Sequence, residues 1–152
     1  MEYKIGLLFH MFGLSMIAGG FLGGYLVEKR FWKLVEIDIS HAGSVLPIMK
    51  TLPVIIQVGV LIQVISGTLL LQSASWAFWG QAWLSIKLIL VALALANGLL
   101  VGKKLGAKIG FQVFSAAPDK VALAVLKRKM ISFNLIQLAL TVGILVLATV
   151  FR

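Results

Sequence analysis

The chain has no cysteine among its 152 residues. Disulfides, thiolate metal centres and thiol nucleophiles are excluded with it. Acidic residues are almost as scarce: Glu2, Glu28, Glu36, Asp38 and Asp119 are the only five. None lies within the apolar core of a long hydrophobic run, so carboxylate-based proton relays have no residues to use. No Walker loop, G-x-S-x-G elbow or H-E-x-x-H helix is present, which removes the function classes those motifs carry. Histidine occurs twice, as His10 and His41. Charged residues make up only 12% of the chain, against roughly 25% in a soluble domain.

What the chain has in abundance is apolar surface. It is 61% hydrophobic, with a mean hydropathy of +1.05. Four long apolar runs cover residues 5–27, 52–71, 82–102 and 131–151. About 20 apolar residues in a helix cross the hydrocarbon of a bilayer, about 30 Å thick. The expected fold is therefore all-α: an integral membrane four-helix bundle, one domain over residues 1–152. The first run has a longer core than a signal peptide and no small-residue cleavage site, so it reads as a retained helix.

The net charge of +9 is unevenly placed. Lys29, Arg30, Lys33 and Lys50 lie in the first linker. Lys103, Lys104, Lys108, Lys120, Lys127, Arg128 and Lys129 lie in the third. The second linker, residues 73–81, is uncharged and carries Trp76 and Trp79, with Trp83 just beyond. The positive-inside rule puts linkers one and three in the cytoplasm and both termini outside, with the tryptophans as an outer aromatic belt. Anionic lipid headgroups are expected partners of the basic linkers. Both linkers are expected to be partly helical, through RFWKLVEID in the first and a start at Pro118 and Asp119 in the third.

A bilayer offers no water to polar groups, so polar side chains should face inward. On the first helix His10, Gly13, Ile17, Gly20 and Gly24 fall on one stripe. Gly19–Gly23 and Gly20–Gly24 form overlapping G-x-x-x-G pairs, suited to close helix approach or to a flat ring. Gly59, Gln63, Ser66 and Leu70 share a face of the second helix, and Pro53 reads as a first-turn proline. Lys87, Leu90, Ala94 and Asn97 align on the third. Asn134, Gln137 and Thr141 align on the fourth. Counting residues predicts two layers, His10 with Lys87 about 7–8 Å below the outer helix ends and Asn97 with Asn134 further in, with Gln63 between. His41 reads as a helix-start or surface residue.

A neutral imidazole is a good axial ligand for haem iron. His10 is thus the candidate metal ligand. Haem b is the candidate cofactor, with Lys87 as a second ligand or a propionate partner. Gly13 and Gly20 are candidate cofactor-seating positions, and Lys87, Asn97 and Asn134 are candidate catalytic residues. Two other readings stay open on the residues alone: a non-catalytic accessory subunit of a membrane complex, homo-oligomeric or mixed, and a small transporter.

Several local patterns coincide with a known group. These are His10 followed by Ala18, Gly19 and Phe21, then L-x-x-M-x-x-x-P (Leu46, Met49, Pro53). W-L-x-x-K-L (Trp83, Leu84, Lys87, Leu88) and F-N (Phe133, Asn134) complete the set. In these the chain resembles the four-helix membrane superfamily of HemJ-type protoporphyrinogen oxidases and copper-resistance D-type proteins. The family pattern has an arginine, a second histidine and an acidic residue where this chain has Gly24 or Tyr25, Asn97 and Leu135, as a divergent member would. The resemblance implies haem or porphyrin binding through His10, a functional Lys87, membrane oxidoreductase chemistry, and a bacterial or archaeal plasma membrane.

Overall fold

The computed structural model describes residues 2–150, and its regular structure is helical. Helix α1 is Glu2–Ile37, α2 Ile39–Gly43, α3 Leu46–Ser73 and α4 Ala82–Ala96. A π-helical segment, Asn97–Gly102, joins α4 to α5, Lys103–Val113, and α6 is Lys120–Val150. Four helices are long and apolar enough to cross a membrane. The chain divides into two compact units, Met1–Trp79 and Gly80–Arg152.

The helices outrun their apolar cores. At 1.5 Å per residue the 36 residues of α1 extend about 54 Å. Its tail, past Val27, buries Phe31 and Trp32, and the following corner buries Ala42, Val45 and Leu46. The Trp32 indole donates to Glu28 one turn back, at 3.1 Å. Asp38 interrupts the helix in extended geometry and caps α2. Its Oδ1 accepts from the Ser40 amide at 2.8 Å and the Ser40 hydroxyl at 2.7 Å.

Helix α3 begins at Leu46, not at the second apolar run. Pro47 occupies its first turn, where a missing N–H costs nothing. Pro53, read from sequence as the first-turn proline, therefore stands inside the helix. Polar Lys50 and Thr51 masked this extension. α3 closes with Ser75 in the left-handed region at φ 50° and the Trp76 amide bonded back to the Leu71 carbonyl at 2.9 Å. In the turn that follows, the Trp76 and Trp79 rings meet edge to face at 5.7 Å.

α1 and α3 pack along their glycines. A Cβ on Gly13 would stand 2.9 Å from the Gly59 carbonyl oxygen, and one on Gly20 only 2.5 Å from Ile56 Cγ1. In the second unit α4 packs on α6, with Gly143 against Leu90 and Gly102 against the Phe133 ring. α5 then forms a hairpin with the first turns of α6. Leu105, Ile109 and Val113 are buried on one arm, and Leu123, Leu126 and Met130 on the other. Asp119 starts the second arm by accepting from the amides of Val121 and Ala122, at 2.8 and 3.2 Å.

Candidate functional site

The polar residues of the first unit converge on one point of the α1–α3 seam. His10 Nδ1 lies 3.0 Å from Ser66 Oγ. Ser66 is fully buried. Its hydroxyl makes its shortest contact, 2.7 Å, with the Ile62 carbonyl, and a longer one of 3.3 Å with that of Gln63. Gln63 Nε2 donates across the seam to the His10 carbonyl at 2.7 Å. Gln63 thus belongs to the level of His10, and not to a layer further in.

The tautomer of His10 follows from counting protons. Ser66 has one hydroxyl proton, and a backbone carbonyl can only accept. With that proton on the 2.7 Å contact to Ile62, Nδ1 must carry its own and donate to Oγ. A neutral ring then has its lone pair on Nε2. An orienting bond at one ring nitrogen is the usual companion of ligation at the other.

Gly13 and Gly20 have a different place from the one expected. Both are buried against α3, and Gly59, Ile56 and Gln63 fill the space a flat ring would need. The geometry makes them positions of close helix approach. Gly19 and Gly24 have nothing within 4 Å of a Cβ position. A haem iron would have to meet His10 from outside the Gly13–Gly20 stripe, where α3 leaves no room for a ring.

His41 is exposed on α2, with Nδ1 donating to Asp38 Oδ2 at 2.6 Å. It follows α1, whose continuous helix carries the chain about 40 Å from His10 to Ile37. The two histidines cannot share an iron. Among the described residues no cluster of three His, Cys, Asp or Glu could hold a metal. Asp38 is held down to about 2 by its bonds to the Ser40 hydroxyl, to His41 and to the Ser40 amide, in that order.

The second unit has its own polar pair. Asn97 Nδ2 donates to Gln137 Oε1 at 2.9 Å, at the first residue of the π-helical segment. Asn134, expected from counting at the depth of Asn97, lies one turn from Gln137 along α6. Gln137 carried no distinguishing signal beyond its place on the Asn134 stripe, and the π segment had none. Lys87 is half-buried on α4, on the same face as Leu84, Leu90 and Ala94. It makes no hydrogen bond or ion pair with any described residue. Comparisons with known protein families, curated proteins and solved structures find no match for this chain.

Proposed function

We propose that this chain is an integral membrane protein that binds a b-type haem through His10 and serves a membrane redox system. The termini face outward and the basic linkers face the cytoplasm, following the charge asymmetry of the linkers. One observation carries the haem reading: the His10 Nδ1 contact with a buried serine whose proton is directed to a carbonyl. That arrangement fixes the ring and favours the tautomer with basic Nε2. The haem, when bound, supplies one-electron chemistry. The protein's own part is to hold the imidazole: Ser66 orients it, and Gln63 ties the α1 backbone beneath it to α3.

The test is a visible spectrum of the detergent-purified protein from haem-replete cells, oxidised and reduced. A Soret band is expected in the wild type and in His41→Ala, and its loss in His10→Ala. Ser66→Ala is expected to weaken haem retention by about tenfold, the scale of an outer-shell partner. A colourless wild-type protein overturns the reading.

The closed Gly13–Gly59 contact supports a second reading, a non-catalytic subunit whose α1–α3 pair is a packing module. Gly19 and Gly24, with open space at their Cβ positions, would then receive a helix of another subunit. Cross-linking a colourless protein into a larger assembly through a Gly24→Cys variant would favour that reading.

A further inference from the structure

Between Lys103 and Lys129 there are seven cations and one acid, Asp119, whose carboxylate caps its own helix. The α5–α6 hairpin that carries them is held rigid by its buried leucine, isoleucine, valine and methionine side chains. Along one flank runs a groove of about 500 Å³, lined by Ala107, Lys108, Phe111, Ala122 and Val125 among others. Lys104 precedes Lys108 by one turn on that flank of α5. On α6 Lys129 stands one turn beyond Val125. Lys104, Lys108 and Lys129 are all exposed; Lys108 lines the groove, and helical spacing puts the other two one turn from its lining residues.

Their depth is fixed by the register of the helices. Gly102 meets Phe133 across the pair, with a Cβ position 2.8 Å from the ring. Beyond that contact Lys104 lies about 3 Å, Lys129 about 6 Å and Lys108 about 9 Å along the helix axes. Gly102 ends its apolar run at that contact and Ile131 ends the other about 3 Å beyond it, so these distances begin close to the edge of the hydrocarbon. The headgroup layer on each side of a bilayer is about 5–7 Å deep, and lysine side chains reach several ångströms along their stems. The three ammonium groups thus stand at the level of lipid phosphates. Small Ala107 leaves room beside them, and the groove continues outward from there to Ala122, about 16 Å from Phe133 along α6.

We propose that this groove is a binding site for the headgroup of an anionic phospholipid, its phosphate held by Lys104, Lys108 and Lys129. The proposal rests on the membrane reading but not on haem. Charge disfavours a second copy of the chain as occupant, because the cytoplasmic part of the first unit is also basic, through Lys29, Arg30, Lys33 and Lys50. An acidic protein segment would match the charge, but it has no need of cations aligned with the bilayer edge.

The test is native mass spectrometry of the full chain released from nanodiscs with equal amounts of phosphatidylglycerol and phosphatidylcholine. The wild type is expected to retain phosphatidylglycerol about tenfold over phosphatidylcholine, on the scale of several near-surface cations. The Lys104→Gln/Lys108→Gln/Lys129→Gln variant should lose that preference. A control with the same charge change, Lys29→Gln/Arg30→Gln/Lys33→Gln, should keep it, and Ala122→Phe, which fills the groove, should weaken it. These substitutions are on exposed or groove-lining positions, and circular dichroism checks that each variant stays helical. Equal loss in the control and the triple variant would overturn the site in favour of diffuse attraction. Complete displacement by millimolar inorganic phosphate would overturn the lipid and leave a phosphate site. No lipid preference in the wild type overturns the proposal, whatever the haem spectrum shows.

Discussion

Gly13 and Gly59 meet almost backbone to backbone. A methyl group on Gly13 would find the Gly59 carbonyl oxygen at 2.9 Å and Gln63 and Ile62 side chains at 3.1 Å. Carbonyl oxygen on a helix cannot move aside, so the two helices would have to part. Parting them also stretches the Gln63 bond to the His10 carbonyl and the His10–Ser66 contact. Gly13→Ala is therefore expected to destabilise the protein by about 1–3 kcal/mol, as overpacking does. Gly19, six residues on with open space around it, gives the contrast. Gly19→Ala is expected to be neutral or to stabilise by up to about 1 kcal/mol, through helix propensity. Thermal unfolding in detergent, followed by circular dichroism, measures both. Equal effects at the two positions would mean that the seam is not closed as described. Sequence alone put Gly13 on the His10 stripe and Gly19 in a G-x-x-x-G pair and could not rank them, because spacing gives a face and not what stands opposite it.

At the scale of elements, capping residues decide where the helices turn beyond the apolar runs. Asp38 breaks α1 and starts α2, and its carboxylate is lowered to about 2, first by the Ser40 hydroxyl and then by His41. A folded value below the unfolded one, about 3.9, means that the cap stabilises the corner fully above pH 4. That contribution is lost as the pH falls from about 4 through 2. The protection factor of the Ser40 amide, the intrinsic exchange rate divided by the observed one at each pH, is expected to fall over that window in the wild type. In Asp38→Ala that protection factor should be low and should not change with pH across it. A wild-type amide protected equally at pH 5 and pH 2 would show that the carboxylate is not the cap. Asp119 was legible from Pro118 and the apolar run after it, whereas Asp38 was not, since α2 is only five residues long and has no periodicity to read. The π segment was equally silent: NGLLVG has the composition of any membrane helix, and only the Asn97–Gln137 bond marks it.

For the whole molecule, hydropathy identified four helices and their approximate apolar cores, because the cost of unpaired backbone in hydrocarbon leaves few alternatives. It missed how far the helices continue beyond those cores, since polar and basic residues there lie in mixed, amphipathic patterns. The candidate site was legible by residue type: His10, Gln63 and Ser66 were on inward stripes, and they do meet. Their partners across the chain were not legible, because counting residues fixes depth only if every helix starts at the boundary of its apolar run, and α3 does not. The orientation of the molecule rests on charge, and the absence of cysteine makes it directly measurable. Ala77 lies in the uncharged turn after α3 and Ala116 between α5 and α6, both exposed. Single Ala77→Cys and Ala116→Cys variants each carry the only thiol in the chain. A membrane-impermeant maleimide should label Ala77→Cys in intact cells, and Ala116→Cys only after the membrane is opened. Eleven of the 14 Lys and Arg residues lie in linkers one and three, and inverting them would oppose the bias that sets topology. Labelling of Ala116→Cys in intact cells would reverse the orientation. It would also put Lys104, Lys108 and Lys129 on the outer leaflet, where the lipid site would face a different population of headgroups.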